Sequence, residues 1–239
     1  MAAARAALVT GGSSGIGLAI ARALGGEAYG VTISARRPDK LEAAAQELRD
    51  EGIEAVGVPA NVAAEEDIQA LVGTHRERFG RLDVLVNNAG AGIGGPIVRH
   101  GTKQLDLQIA INLRAVYLMT RECLPMLEAA GREHGKALLV NMSSVTGKVG
   151  QGGLAAYSAT KAGVVGLTQA TQQEVAAAGV QAVAFCPGFV DTAMSEWSEV
   201  SAEEMIKPED IAEGVRFLLR LSPSCFVPEI QFARPGGRL

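Results

Sequence analysis

The chain has 239 residues, 48% of them apolar and 20% charged, with a formal net charge of −4. That is enough apolar chain for a large buried core and fits one compact α/β domain over residues 1–239. The acidic balance, with no dense Lys/Arg cluster, argues against a nucleic-acid surface, and no run of about 18 apolar residues offers a membrane span. Cys123, Cys186 and Cys225 form neither a zinc spacing nor a disulfide framework, so each reads as a small buried hydrophobe in a soluble, cytoplasmic protein. His75, His100 and His134 are far apart with no acidic cluster beside them, so they read as exposed helix or loop residues and no metal is expected.

Residues 6–10 read as a short buried strand that runs into Gly11-Gly12-Ser13-Ser14-Gly15-Ile16-Gly17 and then an apolar helix. Glycines at such a turn let backbone approach a pyrophosphate, and the N–H groups that open a helix favour the anion. A second strand, 29–34, ends at Ala35-Arg36-Arg37 before a helix over 38–51. An acid at this strand end would accept hydrogen bonds from ribose hydroxyls, whereas an arginine pair suits a 2′-phosphate. The chain therefore points to NADP rather than NAD, with Arg36 as the phosphate partner and Arg37 or Ser13 assisting. A third strand, 54–58, leads to Asn61-Val62 and a helix over 65–79. The apolar run 82–86 reads as a central strand ending in Asn87-Asn88-Ala89-Gly90, where small side chains could line a dinucleotide.

Residues 102–129 are helical in period, with Asn112 unusual inside them because asparagine is a poor helix former. A strand at 137–142 leads through Ser143-Ser144 and a glycine-studded loop to Tyr157-Ser158-Ala159-Thr160-Lys161, at the start of a helix over 155–178 capped by Gly179. Tyr157 and Lys161 share one helical face. A phenol has an ordinary pKa of about 10, and bringing it near neutrality takes about 4 kcal/mol, which only a close, desolvated cation can supply. A strand over 180–185 closes on Cys186-Pro187-Gly188. The looser stretch from Thr192 through Trp197 to Met205 is expected to be mobile and to cover a substrate. A helix over 208–221, with apolar Ile211, Val215, Phe217 and Leu218, and an edge strand over 226–232 complete a regular βαβ rhythm.

Taken together, these motifs resemble the short-chain dehydrogenase/reductase family, in its TGxxxGxG and YxxxK branch, over roughly residues 6–220. The resemblance implies a Rossmann-like, doubly wound parallel sheet of about seven strands with helices on both faces. It also implies hydride transfer between a nicotinamide and a carbonyl or alcohol carbon. Tyr157 would be the acid/base and Lys161 would lower its pKa and bind the nicotinamide ribose. Ser144 would hydrogen-bond the substrate oxygen, and Asn112 would hold a water. Asn61 and Val62 would touch adenine, while Pro187, Gly188, Val190 and Thr192 would embrace the nicotinamide carboxamide. The family also implies a homodimer or homotetramer.

Two departures stand out. Gln181-Ala182-Val183-Ala184 replaces the family's Arg-x-Asn, so a structural hydrogen bond is expected to be missing there, and the C-terminal end at residues 232–237 is atypical. The substrate is a small carbonyl or alcohol, with 3-oxoacyl thioesters one option. A silent NADP-binding sensor or scaffold is the reading from another class. The short stretch between Thr192 and Pro208 would give only a modest lid and an open cleft.

Overall fold

The computed structural model describes residues 5–196, 198 and 200–236, so Trp197 lies outside the described residues. Its first half runs β1 (Arg5–Thr10), α1 (Gly15–Gly26), β2 (Tyr29–Ala35), α2 (Pro38–Asp50), β3 (Ala55–Pro59), α3 (Glu65–Phe79) and β4 (Val84–Asn87). The second runs α4 (Thr102–Ile109), α5 (Ala115–His134), β5 (Ala137–Met142), α6 (Ala155–Val175), β6 (Val180–Pro187), α7 (Pro208–Arg220) and β7 (Glu229–Phe232). The strands form one parallel sheet in the order β3-β2-β1-β4-β5-β6-β7. Sequence order reverses between β1 and β4, and there the chain can open a crevice.

Strand side chains alternate between faces, so Ala7 and Val9 enter one core and Leu8 the other. The first core packs under α1, α2 and α7, and the second under α3 and α5. The doubly wound, three-layer arrangement expected from the sequence is the one observed.

Several local expectations need correction. The helical period over 102–129 is interrupted: a π turn, Ala110–Arg114, separates α4 from α5, and α5 runs on to His134 with Pro125 inside it. A π turn leaves no mark in composition or apolar spacing. The last strand starts at Glu229, after Pro228, rather than at 226. Phe217 is half exposed, and Cys225 is exposed whereas Cys123 and Cys186 are buried. Gln181 fills the gap only in part: its Nε2 donates to the carbonyls of Pro223 (3.1 Å) and Cys225 (3.2 Å), tying down the turn after α7, while its Oε1 is buried with no partner among the described residues. Lys136 does similar work at that helix end, donating to the Leu218 and Leu221 carbonyls.

His75 is fully buried, not exposed. Its Nε2–H donates to the Arg81 carbonyl at 2.9 Å, and its Nδ1 accepts from the Thr32 hydroxyl at 2.8 Å, which fixes a neutral imidazole. Burial lowers its pKa from 6.5 to about 4. The unfolded chain therefore takes the proton more readily, and stability present above pH 6.5 is lost as pH falls from 6.5 to about 4. We expect this group to remove up to about 3 kcal/mol across that window. Thermal unfolding of the parent and of His75→Gln, compared from neutral to acid pH, checks this through a shallower acid slope in the variant.

Candidate active site

A cavity of about 820 Å³ opens at the carboxyl ends of the strands, beside the β1/β4 reversal. Ser13, Ser14, Gly15 and Ile16 line one end of it, and Gly11 lies beneath. Gly11 and Gly15 have left-handed backbones, with φ of 66° and 53°. Gly17 faces inward from α1: a Cβ there would lie 2.2 Å from the Gly11 carbonyl oxygen, so only glycine lets helix and turn close together. No acidic residue sits in the first turn of α1, and its N–H groups and positive dipole end are left to an anion. This cradle fits a pyrophosphate.

Asn87-Asn88-Ala89-Gly90 does more than turn the chain. The Thr10 hydroxyl accepts the N–H groups of Asn88 (3.0 Å) and Ala89 (3.1 Å), and the Asn88 amide donates to the carbonyls of Thr10 (3.0 Å) and Gly11 (3.2 Å). The end of β4 thereby locks the glycine turn.

At the β2 end, Arg36 and Arg37 are exposed and line the cavity with Ser34, Ala35, Ala60 and Val62. No carboxylate among the described residues lines this end. The Ser34 hydroxyl is buried with no partner among the described residues. Asn61 is not part of the lining. Its Oδ1 accepts the Ala63 N–H at 3.2 Å, and its own N–H goes to Asp67, so its polar groups serve the start of α3. Asn88, Ala89, Gly90, Pro187, Gly188, Val190 and Thr192 line the middle of the cavity. Thr192 packs on Gly15, where an added Cβ would meet its Cγ2 at 2.9 Å.

Ser144, Tyr157 and Lys161 face the other end of the cavity. Ser144 follows β5 in extended backbone and caps a 3-10 turn, accepting from the Thr146 N–H and hydroxyl. Its hydroxyl also donates to the Pro187 carbonyl at 3.4 Å. Lys161, 3% exposed, donates to the Met142 carbonyl at 2.8 Å, and its Nζ lies 5.6 Å from the Tyr157 ring centre. Gly147 lets the Ser144 turn rest on α6, since a Cβ there would come within 2.7 Å of the Lys161 carbonyl carbon.

In this structure burial pushes the Tyr157 phenol up to about 12, against the opposing hydrogen bond from Ser144. Desolvation lowers Lys161 to about 8. Tyr157 thus stands as a neutral acid in this structure, with the Lys161 amine 5.6 Å from its ring centre. Asn112 is fully buried and does not line the cavity. Its amide grips Ala91 through both backbone groups, at 2.8 and 2.9 Å, and reaches the Thr160 hydroxyl next to Lys161.

The sequence reading missed the cavity's outer wall. Gly92, Gly94 and Gly95 face Gly152, Gly153 and Leu154 across the mouth, joined by a Gly95 N–H to Gly153 carbonyl bond of 2.8 Å. The clustering of glycines on both segments was the available signal.

A cavity that can lay a dinucleotide's redox ring against a proton-donating phenol defines a dehydrogenase or reductase. The chain belongs to the short chain dehydrogenase family, whose profile matches residues 5–202. It is 40% identical over 235 residues to a putative ketoacyl reductase of Streptomyces coelicolor, covering 89% of each chain. It is 36% identical over 225 residues to a 3-oxoacyl acyl-carrier-protein reductase of Staphylococcus aureus, covering 90% of each. Among solved structures it resembles a variant of actinorhodin polyketide ketoreductase with NADPH (TM-score 0.86, 37% identity, 97% of each chain). It also resembles an alcohol dehydrogenase of Thermococcus sibiricus complexed with 5-hydroxy-NADP (TM-score 0.90, 30% identity, 98% of each chain).

Proposed function

We propose that the protein is an NADP-dependent reductase that transfers a hydride between the nicotinamide and a carbonyl or secondary alcohol carbon, in one domain spanning the chain. The bound dinucleotide would supply the hydride. Ser144, Tyr157 and Lys161 meeting at the end of the cavity away from the glycine turn is the observation that carries this reading. Ser144 would hold the substrate oxygen, and Tyr157, neutral in the protein alone, would deliver the proton as negative charge develops there. Lys161, still largely ammonium near neutrality, would stabilise the phenolate left behind. Asn112 would anchor the loop beside Lys161 rather than touch substrate.

The names of the curated relatives favour a 3-oxoacyl thioester as substrate. Loss of reduced-nicotinamide absorbance with acetoacetyl thioesters and a panel of simple ketones tests both levels. Turnover of ketones but not thioesters would remove the finer reading, and NADPH binding with no carbonyl-dependent oxidation would leave only a sensor or scaffold.

Arg36 and Arg37 would receive the 2′-phosphate. We expect Arg36→Ala to weaken NADPH by about tenfold, the scale of one charge-assisted pair, and NADH by far less. Fluorescence titration with both cofactors measures the ratio, and an unchanged ratio overturns the assignment. Exposed apolar side chains on α4 and α5, namely Leu105, Ile109 and Tyr117, support a homo-oligomer. No helix among the described residues is long and apolar enough to cross a membrane, in keeping with a cytoplasmic site of action.

A further inference from the structure

We propose that Gln108 is a positioning residue that holds the cavity wall at residues 91–95 in front of Tyr157. The inference rests on the reductase reading for its functional meaning, but not for its structural content. Gln108 is 0% exposed, and burying an amide is costly unless its polar atoms are paired. Both ends of this one are. Its Oε1 accepts the Ile93 N–H at 3.1 Å, and its Nε2 donates to His100 Nε2 at 3.1 Å. The orientation of the amide follows from chemistry, because an N–H at Ile93 demands the oxygen, which leaves the amide nitrogen to donate to His100.

One side chain thus ties the loop near its beginning and at its end. Asn112, four residues further along and on the same helical face, ties Ala91. Between these ties lie Gly92, Gly94 and Gly95, which line the cavity. A Cβ on Gly92 would lie 3.8 Å from Tyr157 Cε2 and 3.8 Å from the Met194 sulfur, so the loop's place sets the space before the phenol.

Packing does little to hold this loop. Ile97 and Val98 are 75% and 88% exposed, and three glycines among residues 92–95 bring no side chains to bury. Among the described residues, the amides of Gln108 and Asn112 fasten it together with the 3-10 turn Ile97–Arg99, the Gly95 bond to Gly153 and the packing of Ala91 against the core. Of the two amides, Gln108 is the one that sets the loop's span, because it alone reaches both Ile93 and His100.

Hydrogen–deuterium exchange on the full chain, with and without NADPH, tests the tie independently of turnover. In Gln108→Leu, amides across 91–100 are expected to exchange about tenfold faster or more, while segments 84–87 and 155–161 stay unchanged. Titration should find NADPH affinity within about twofold of the parent, one binding site being untouched. With ethyl acetoacetate and α-tetralone as probes, KM should rise about fivefold or more with a smaller change in kcat, the pattern of a displaced binding wall. Gln108→Glu keeps the acceptor for Ile93 and should restore most of the protection. If Gln108→Leu does not fold, His100→Ala removes one arm and should accelerate the same segment to a smaller degree. Unchanged exchange across 91–100 overturns the proposal, and so does faster exchange with unaltered KM for both ketones. A parent enzyme that oxidises NADPH with neither ketone counts against the reductase reading, and the exchange comparison then still decides the tie.

Discussion

Tyr157→Phe is expected to lower kcat for carbonyl reduction by about 10²–10⁴, the usual worth of a positioned general acid. The phenol is pushed up to about 12 by burial, so it carries its proton throughout the neutral range. Phenylalanine keeps the ring and its packing and deletes only the hydroxyl, so NADPH affinity should change by no more than about twofold. The partner Ser144 retains hydrogen bonds from Thr146, which limits the structural cost. Single-turnover oxidation of bound NADPH by a ketone is the measurement. A variant within about fivefold of the parent would remove Tyr157 from the chemistry.

Lys161→Met should separate activity from stability. Removing a preorganised charge at a developing oxyanion typically costs about 10²–10³ in kcat. The stability effect has the opposite sign. Lys161 is lowered from 10.5 to about 8 by desolvation, so its ammonium opposes folding: the stability held with a neutral amine above pH 10.5 is lost as pH falls to about 8. At neutral pH that amounts to about 3 kcal/mol. Methionine relieves it but orphans the Met142 carbonyl, worth about 1–3 kcal/mol, so the free protein should gain about 1 kcal/mol, or about 2–4 °C in Tm. The parent's kcat/KM for reduction should also decline as pH rises through about 8, where the ammonium is lost, and this limb should vanish in the variant. Calorimetry and a pH profile together decide it. A destabilised but active Lys161→Met would contradict both halves.

These effects were legible because the residues that produce them lie close in sequence. Tyr157 and Lys161 share one helix turn, the phosphate cradle is a single run from Gly11 to Gly17, and Arg36 stands at the end of its own strand. The βαβ alternation likewise announced the sheet. What stayed hidden depends on partners that no periodicity pairs. His75 looked like a surface residue because neither Thr32 nor the Arg81 carbonyl can be paired with it by spacing. Gln108 read as an ordinary helix residue because Ile93 and His100 come to it only through the loop's path. Asn61 sits at the right strand end, yet it lies outside the cavity lining and its side-chain oxygen accepts the neighbouring Ala63 N–H. The phenol's high pKa was also out of reach, since it is set by burial, which a motif does not record.

The contact between Thr192 and Gly15 bears on synthesis. The phosphate cradle is encoded in the first 17 residues, but one of its neighbours follows β6 and is made some 175 residues later. A nascent chain on the ribosome can therefore assemble β1 to β4 and still lack a finished cofactor pocket. Truncated products ending before residue 180 would lack both β6 and this contact.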